Sequence, residues 1–568
     1  MPKRVIIIGA VALGPKVACR LRRIDPDAII TLIDRDSLIS YGGCGIPYYI
    51  GGDVADLEGL YSTIAHVVRD ETFFRKVKGV EVITQAEAVS INRREKRLTI
   101  RHLRENRDEE LEYDKLVIAT GATPVRPPFS GVNLPNVYQV SNLHQAKAIK
   151  DLISKGEVTS AVIIGAGAIG IEMAEALADL WSVDTTIVEM ADRVLPQAFG
   201  RNISKIAEKQ LKDNGVKLLI NEKVLKINGS EETGVESVET TAGTIPCQLV
   251  ILATGVRPNS ELAAEAGLAI GKNRGILVDH CMRTTDPDIY AGGDCVEVMN
   301  LVNGQTILMP LGSLANRQGR IIASNINGLC EQFKGTVGTF CIKVFGMGFA
   351  TAGLTFDQAK AAGFDPVYAT VAQSDRAHFY PDSEFMFMEL IADKRTRRVL
   401  GVEAAGPQGD AVKSRVDAIA PLFQYRADIS DICTLEAGYS PPYASAMDII
   451  NNVGNVLDNI LNGIYKTIDA LEFIKRFEAK ELLVLDVRSK IQADPFVEKY
   501  GDLWISIPQE ELRDRFDEIP KDKEICLICG SGARSYEAQV MLANKGITKI
   551  RNVQGGYGMI VATHSPLA

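Results

Sequence analysis

The sequence predicts an α/β fold made of several domains, and three observations support this prediction. The chain has 568 residues, which is too long for one hydrophobic core and predicts three to four domains. With 46% hydrophobic residues and 49 glycines, its composition is typical of a globular protein with many tight turns. Two segments, near the start and near residue 160, combine a strand, a glycine-rich turn, a helix and a second strand. This order is typical of α/β folds.

The first of these units opens the chain. Its predicted elements are the strand Val5–Ile8, the turn Gly9–Gly14, the helix Pro15–Arg23 and the strand Ile29–Ile33. Gly9, Gly14 and the acidic Asp34, with Arg35 beside it, are candidate dinucleotide-binding residues. In such a unit the helix N-terminus faces a pyrophosphate and the acidic residue holds a ribose hydroxyl. Val11 stands where the middle glycine is expected, so the motif is imperfect.

The second unit carries a complete glycine motif. Gly165, Gly167 and Gly170 follow a predicted strand in the required spacing, and the next strand ends at Glu189. A carboxylate at that point accepts a hydrogen bond from a ribose 2′-hydroxyl and repels a 2′-phosphate, so NADH is favoured over NADPH. The alternative is that Glu189 only faces solvent.

Two dinucleotide-binding units in one chain imply two dinucleotides and a hydride passed between them, so the first is predicted to bind FAD. Three further strand-to-glycine turns agree. Thr120 and Gly121 lie in "LVIATGATP", Gly255 lies in "LVILATGVRPN", and Asp294 lies in "IYAGGDC". An aspartate in the last position can accept a hydrogen bond from the ribityl chain of a flavin.

With these spacings the region from Met1 to about Asn452 resembles the FAD-dependent pyridine nucleotide-disulfide oxidoreductases. The resemblance implies an FAD-binding domain over 1–148 and 271–330, with an NAD(H)-binding domain over 149–270 inserted into it. It also implies an α+β dimerisation domain over 335–452, and therefore a homodimer.

Cys44 indicates the branch of this superfamily. It lies in "SYGGCGIPYYIGG", and Gly45 to Tyr49 contain no second cysteine of a C-x4-C pair. The segment is similar to those of coenzyme A-disulfide reductases, persulfide reductases and NADH oxidases or peroxidases. The resemblance implies that Cys44 forms a mixed disulfide with a substrate thiol or a sulfenic acid with peroxide, and we expect a thiolate with a low pKa. The alternative is a small buried apolar residue.

A basic helix face suggests coenzyme A as the thiol. Lys16, Arg20 and Arg23 fall on one side of the first helix and are candidates for its phosphates, with Ser40 on the same approach. Such a face is, however, often only solvated. In coenzyme A-disulfide reductases, tyrosines in motifs similar to "RAHFYPDS" and "EAGYSPPYASAMD" reach the active site of the opposite subunit, which implies this role for Tyr380 and Tyr439. Buried tyrosines with satisfied hydroxyls would give the same pattern.

The C-terminal region over 465–568 resembles a single rhodanese domain of α/β type. Cys529 follows a strand, a glycine-rich turn comes next, and Arg534 and Ser535 open a helix. Backbone N–H groups around the sulfur and a nearby guanidinium favour an anionic thiolate or persulfide. Asp486 and Arg488 are predicted to support this loop, and Cys526 is predicted to be a core residue, with a C-x-x-C redox pair as the alternative.

Charge and cysteine usage exclude several classes of protein. The net charge of −9 argues against nucleic-acid binding or a membrane surface, and no apolar stretch is long enough to span a membrane. Ten scattered cysteines indicate a reducing compartment, so we expect a cytoplasmic protein. We predict no metal site.

Three functions remain open at this point. The favoured one is an NADH- and FAD-dependent reductase of coenzyme A persulfide, polysulfide or coenzyme A disulfide, acting through Cys44 while Cys529 handles sulfane sulfur. The second is an NADH oxidase or peroxidase using a Cys44 sulfenic acid. The third is a sulfur-relay module that passes persulfide from Cys529 to a partner protein.

Overall fold

The structure is a computed structural model that describes residues 2–564. Its residues group into two compact units. The first comprises Met1–Met190 and Glu222–Thr336, and the second comprises Ala191–Asn221 and Val337–Ala568. Both contain helices and strands, so the predicted α/β class is confirmed.

The first unit contains the predicted N-terminal nucleotide-binding sheet. It is parallel throughout, in the order Ile289–Ala291, Lys115–Ile118, Arg4–Ile8, Ile29–Ile33 and Glu81–Ile83. The strand Arg4–Ile8 is buried because helices cover the sheet, and its apolar run has no polar alternation. The helices Leu13–Ile24 and Gly312–Ile326 pack against each other.

A second parallel sheet follows in the same unit, in the order Asp184–Glu189, Ser160–Ile164, Leu249–Leu252 and Val137–Tyr138. The helix Ala168–Ala178 lies between its first two strands in sequence, as predicted. The remaining helices of the unit are Ile46–Gly51, Glu71–Phe73, Leu143–Ser154 and Glu261–Glu265, with a π-helical turn at Phe74–Lys78 and 3₁₀ turns at Gly43–Gly45, Leu57–Tyr61 and Gly293–Cys295. The remaining strands are Ala86–Asn92, Arg97–His102, Arg107–Glu112, Ala122–Pro124, Val224–Ser230, Gly234–Thr240, Gly243–Pro246, Val256–Pro258, Ile276–Leu277, Val296–Met299 and Thr306–Ile307.

The second unit contains an antiparallel sheet in the order Phe340–Val344, Met347–Gly353, Val399–Gly406, Phe385–Asp393 and Pro366–Ser374. The long helix Ile449–Leu461 packs on its last two strands. Its other helices are Arg201–Asp213, Phe356–Ala361, Gly409–Ile419 and Ile429–Cys433, with a 3₁₀ turn at Ala420–Tyr425, and the strand Lys217–Ile220 also belongs here.

The C-terminal part of this unit forms a parallel sheet of five strands, in the order Thr467–Ile468, Ile550–Val553, Ile525–Ile528, Leu483–Asp486 and Trp504–Ser506. Its helices are Ala470–Glu478, Lys490–Tyr500, Leu512–Arg515, Ala533–Asn544 and Gly556–Thr563, with 3₁₀ turns at Gly501–Leu503 and Phe516–Glu518. This is the strand and helix alternation expected for the C-terminal domain.

Two further observations bear on the sequence predictions. Among residues 2–564, no helix combines the length and hydrophobicity that a membrane span requires. The ten cysteines, all of which lie in this range, form no disulfide with one another.

Candidate active site

The glycines of the first turn are needed for close backbone packing. Gly9 has φ +108°, and a Cβ there would lie 2.1 Å from the carbonyl oxygen of Ala119. A Cβ at Gly14 would lie 1.9 Å from the Gly9 oxygen. The helix that follows has neither a side-chain cap nor an acidic residue in its first turn, so its N–H groups suit an anion such as a pyrophosphate. Val11 lies in this turn, at the place where the middle glycine of the motif is expected.

The second turn shows a different role for each glycine. Gly165 and Gly170 are held close to backbone, since a Cβ would lie 2.4 Å from the Ala253 oxygen and 2.0 Å from the Gly165 oxygen respectively. A Cβ at Gly167 would meet nothing within 4 Å, which leaves open space in front of an uncapped helix. This is the space that a pyrophosphate needs to approach the backbone.

Asp34 and Glu189, the acidic residues that follow or end the second strand of each nucleotide-binding unit, make the same kind of hydrogen bond. Asp34 accepts a hydrogen bond from the backbone N–H of Ala10 at 2.6 Å, and Glu189 accepts one from Ala166 at 2.7 Å. Each carboxylate therefore holds its own glycine-rich turn. Burial, the largest influence, raises the pKa of Asp34. Arg35 is exposed beside it.

The other predicted cofactor-binding residues, Thr120, Gly121, Gly255 and Asp294, lie just after the ends of three further strands. The hydroxyl of Thr120 donates to the Asn259 carbonyl at 2.6 Å, so it is already used to link two crossing segments. Gly121 and Gly255 have φ of +67° and +89°, which side chains rarely adopt. Asp294 lies in the turn Gly293–Cys295, where burial raises its pKa to about 6.

Cys44 lies in the exposed turn Gly43–Gly45, directly before the helix Ile46–Gly51. Its Sγ is 4.0 Å from the position of a Cβ at Gly312, the first residue of the 15-residue helix Gly312–Ile326. That helix end has no acidic residue in its first turn, so its dipole favours a thiolate.

The residues around Cys44 shift the pKa of its thiol upward, in the direction opposite to the one expected from the sequence. Desolvation raises the pKa of the thiol, and the charges of Glu172 and Asp294 raise it further. The pKa of Glu172 is itself raised to about 7, first by burial and then by Glu175. Sequence reasoning missed Glu172 because it lies 128 positions from Cys44 and is brought near by the packing of two helices, Ile46–Gly51 and Ala168–Ala178.

Two basic residues that were not predicted from the sequence, Arg69 and Lys78, lie near the basic side of the first helix. Burial raises the pKa of Cys19 on the same helix, and the positive charges of Lys78, Arg23, Lys16 and Arg69 act to lower it. Arg20 is half-buried, and its Nε has no hydrogen-bond partner in the part of the chain that the structure describes. Arg69 and Lys78 therefore extend the predicted cationic group. Only the fold brings them to this helix.

Two other residues near this helix have clear structural contacts. Arg22, next to the predicted set, donates to the carbonyls of Pro26 at 2.5 Å and Gly79 at 2.6 Å, so it is a structural residue. Ser40 is buried with φ +53°, and its N–H donates to the Ala10 carbonyl at 2.7 Å. Ser40 thus lies against the first glycine-rich turn.

Tyr380 and Tyr439 lie on two neighbouring loops of the second unit. Their exposed fractions are 37% and 52%, so neither is a buried structural tyrosine. The loops are tied together by the Ala377 N–H, which donates to the Pro441 carbonyl at 3.2 Å, and by Arg415, which donates to the carbonyls of Asp375 and Tyr443. The pair forms part of an exposed aromatic surface.

Cys529 lies at the bottom of a backbone-lined loop and is only 1% exposed. Its Sγ accepts hydrogen bonds from the Gly532 N–H and the Ser535 hydroxyl, both at 3.1 Å. Gly532 has φ +101° and caps the helix Ala533–Asn544. An Arg534 nitrogen is 3.9 Å from the position of a Cβ at Gly530, which places the guanidinium over the loop. This arrangement stabilises a negatively charged sulfur.

The supporting residues around this loop agree with prediction. Arg488 and Asp486 are buried and form a paired contact at 2.6 Å, with the guanidinium 4.2 Å from the Tyr557 ring centroid. Their contacts are with each other, with the Trp504 indole and with aromatic rings, which fits the predicted supporting role. Cys526 is fully buried in its strand, and burial raises its pKa to about 12, as expected for a core residue.

Family models divide the chain into three consecutive matches. The model of the pyridine nucleotide-disulphide oxidoreductases matches residues 3–307, and that of their dimerisation domain matches residues 340–449. The chain belongs to this family of FAD- and pyridine nucleotide-dependent enzymes. A rhodanese-like domain model matches residues 469–562.

Individual relatives agree with this assignment. A solved NAD-dependent persulfide reductase from A. fulgidus superposes with a TM-score of 0.93 and 38% identity, over 98% of this chain and 99% of that chain. An NAD(P)H coenzyme A polysulfide/persulfide reductase from Pyrococcus horikoshii is 33% identical over 80% of this chain and 99% of that protein. An NADH oxidase from Methanocaldococcus jannaschii is 32% identical over 77% of this chain and 95% of that protein.

Proposed function

We propose that this flavoenzyme uses NADH and FAD to reduce coenzyme A persulfide, polysulfide or coenzyme A disulfide at Cys44, while Cys529 handles sulfane sulfur. The observation that carries the proposal is the presence of two different cysteine sites in one chain. One is the lone, exposed Cys44 beside a helix N-terminus, and the other is Cys529 in a loop of hydrogen-bond donors. Relatives named for reduction of the same sulfur compounds support it.

Each dinucleotide has residues of suitable chemistry to hold it. For FAD we propose Gly9, Gly14, Asp34 and Arg35, with Thr120, Gly121 and Asp294 at the neighbouring strand ends. For NADH we propose Gly165, Gly167, Gly170, Glu189 and Gly255. When bound, FAD takes two electrons from NADH and makes them available to sulfur.

The proposed chemistry at Cys44 uses its thiolate as the nucleophile. The thiolate attacks the inner sulfur of coenzyme A persulfide, forming a Cys44–coenzyme A disulfide as the S–S bond of the persulfide breaks and sulfide leaves. Two electrons and one proton then convert this disulfide to the Cys44 thiolate and free coenzyme A thiol. The sum is one persulfide reduced to one thiol and one sulfide per NADH oxidised.

Coenzyme A recognition is assigned to the cationic group on the first helix. Lys16, Arg20 and Arg23, extended by Arg69 and Lys78, supply charge for its phosphates, and Ser40 lies on the path to Cys44. Five cations gathered around one segment repel one another, so an anionic ligand would relieve their repulsion.

We also propose a cytoplasmic homodimer. The family includes a dimerisation domain, and the exposed Tyr380 and Tyr439 suit an interface in which they approach the partner's cysteine. There, a tyrosine hydroxyl could donate a proton to a leaving thiolate.

Anaerobic stoichiometry tests the proposed function. Coenzyme A persulfide is supplied with NADH, and sulfide and NADH are measured together for the wild-type, Cys44→Ser and Cys529→Ser proteins. We expect one sulfide per NADH in the wild type and in Cys529→Ser, and a loss of at least about a hundredfold in Cys44→Ser. Sulfide release that survives in Cys44→Ser would overturn the proposal.

A second candidate, NADH oxidase or peroxidase activity, is favoured by the relative of that name and by the lone cysteine. In this case NADH is consumed with oxygen or peroxide alone, and Cys44 passes through a sulfenic acid. Comparing NADH consumption with each of these acceptors against coenzyme A persulfide separates the two functions.

A further inference from the structure

The helix Ile46–Gly51 begins two residues after Cys44, and its C-cap is Gly52, which has φ +101°. A helix of six residues has few intrahelical hydrogen bonds, and the carbonyls of its last turn need other donors. The Tyr48 carbonyl accepts from the N–H groups of Gly52 and Val54, both at 3.1 Å. The carbonyls of Tyr49 and Ile50 obtain their donors from a different part of the chain.

Two side chains supply these donors. Lys150, on the helix Leu143–Ser154, donates through Nζ to the Tyr49 carbonyl at 2.7 Å. Trp181 donates through its indole Nε1 to the Ile50 carbonyl at 2.8 Å. Both residues belong to the predicted NAD(H)-binding region, whereas the helix belongs to the segment of Cys44.

Lys150 makes further contacts with the same segment. Its Nζ also donates to the carbonyls of Ala55 at 3.2 Å and Val54 at 3.4 Å, and it lies 4.0 Å from the centroid of the Tyr49 ring. Three carbonyls and an aromatic face therefore surround one ammonium group. A cation at this end of a helix also interacts favourably with the helix dipole.

The backbones approach closely beside these contacts. A Cβ at Gly51 would lie 3.2 Å from the Cα of Ala176, on the helix Ala168–Ala178. There is thus little room for the Cys44 helix to shift toward that neighbour, and Lys150 and Trp181 oppose its movement away.

We propose that Lys150 and Trp181 are positioning residues that fix the helix after Cys44 and so control the exposure and reactivity of its thiol. The inference rests on the proposed function only in taking Cys44 as the reacting cysteine. Their hydrogen bonds reach the helix at Tyr49 and Ile50, whereas Cys44 precedes its first residue. Each acts by holding carbonyls at the far end of a six-residue helix, about 9 Å long at 1.5 Å per residue.

The test uses the full-length protein and two measurements that need no sulfur substrate. Lys150→Met and Trp181→Phe remove the donors while keeping most of the side-chain volume. Lys147→Met is the matched control, because Lys147 lies on the same helix but is exposed and paired with Asp151 at 2.6 Å. Lys150→Arg keeps a donor and is the conservative variant. Amide hydrogen exchange is followed in the peptide containing residues 45–52, and iodoacetamide alkylation is followed at Cys44 by mass spectrometry.

In Lys150→Met and Trp181→Phe we expect amide exchange in this peptide to rise about tenfold and Cys44 alkylation at least about threefold, because local opening becomes more frequent. Lys150→Arg and Lys147→Met are expected to stay within about twofold of the wild type. Exchange and alkylation rates that match those of the Lys147→Met control would overturn the inference. This holds even if the melting temperature of Lys150→Met or Trp181→Phe falls, because a side chain that only stabilises the fold lowers the melting temperature without changing the Cys44 segment in particular. Alkylation is read independently of sulfide release, so failure of the proposed function is distinguishable from failure of this inference.

Discussion

At the scale of single residues, the Cys44 thiol is subject to opposing influences. Partial desolvation and the carboxylates of Glu172 and Asp294 raise its pKa, whereas the N-terminus of the helix at Gly312 favours the thiolate. Bringing the thiolate to reaction therefore depends on groups that the sequence motif around Cys44 does not contain.

Replacing Glu172 by glutamine tests one of these influences. Above pH 7 the Glu172 carboxylate is mostly ionised, because its pKa is about 7, and its negative charge disfavours a thiolate. We expect Glu172→Gln to lower the pKa of Cys44, so the midpoint of the pH profile of its alkylation moves to lower pH. Glu157→Gln, which alters an exposed glutamate of the same unit, is the control. An unchanged midpoint in Glu172→Gln would contradict this account.

Ser535 provides a residue-scale test of the second cysteine. Its hydroxyl donates to the Cys529 Sγ at 3.1 Å, and a hydrogen bond to a charged sulfur stabilises the reactive form. We expect Ser535→Ala to slow sulfur transfer from thiosulfate to cyanide about tenfold. NADH-dependent reduction of coenzyme A persulfide is expected to be unchanged. Equal sulfur-transfer rates in the variant and the wild type would show that the hydroxyl is unimportant.

At the scale of elements, two carboxyl groups face each other inside the antiparallel sheet of the second unit. Glu389 and Glu403 are directly opposite on neighbouring strands and are 3% and 0% exposed. Glu403 accepts from the Gly200 N–H at 2.7 Å, while its Oε1 has no donor among residues 2–564. Glu389 accepts from Asn202 at 2.9 Å and Thr370 at 2.8 Å. If Glu403 is protonated, its carboxyl group can donate a hydrogen bond and the repulsion between the two carboxylates is removed.

The same cluster reaches the C-terminal domain. Asn202 and Tyr368 both donate to Asp469, at 2.8 and 2.9 Å, and Asp469 caps the helix Ala470–Glu478. Gln554 accepts from the Thr370 N–H at 2.7 Å. The glutamate pair therefore belongs to a hydrogen-bond network that extends to the C-terminal domain.

This pair predicts a pH dependence of stability. Burial raises the pKa of both glutamates, and the charge of Glu389 raises that of Glu403 further. The folded protein then binds a proton that the unfolded chain releases above the ordinary glutamate pKa, so the free energy of unfolding falls as pH rises. We expect the melting temperature to fall between about pH 5 and pH 8, and Glu403→Gln, which mimics the protonated acid, to reduce this slope.

The control for that measurement is Glu436→Gln, which alters an exposed glutamate of the same unit. Its slope is expected to equal that of the wild type. If Glu403→Gln keeps the full pH dependence, the pair does not hold the proton.

The sequence predicted the elements better than their mutual contacts. The two glycine motifs, the strands ending at Asp34 and Glu189, and the loop from Cys529 to Ser535 could be found because local spacing determines them. The glutamate pair, Glu172 near Cys44, and the contacts of Lys150 could not, since each depends on residues brought together by tertiary packing. Nothing in the local pattern distinguishes Lys150 from Lys147.

At the scale of the whole molecule, a family with a dimerisation domain raises the question of where each active site is completed. The loops of Tyr380 and Tyr439 present exposed aromatic rings. Mixed dimers test whether Tyr439 serves the partner's cysteine. Cys44→Ser and Tyr439→Phe chains, each expected to be strongly impaired alone, are refolded or exchanged together at equal amounts.

In such a mixture half of the dimers carry one chain of each kind, and each of these has one complete site. We therefore expect about a quarter of the wild-type activity to return. The control replaces the Cys44→Ser chain by the Cys44→Ser/Tyr439→Phe double variant, so that the intact Cys44 remains but no chain supplies Tyr439. Activity no higher than this control would place Tyr439 outside the partner's site.

The proposed mechanism requires coenzyme A to become covalently linked to Cys44 during turnover, and this adduct can be measured directly. The protein with Cys44 as the free thiol is separated from reductant and mixed with coenzyme A persulfide in the absence of NADH, then quenched with acid. The mass of its Cys44 peptide is measured by mass spectrometry. We predict a coenzyme A adduct on this peptide, with sulfide released in equal amount, and loss of the adduct on addition of NADH. A Cys44 peptide that stays unmodified while NADH reduces the persulfide would contradict the account.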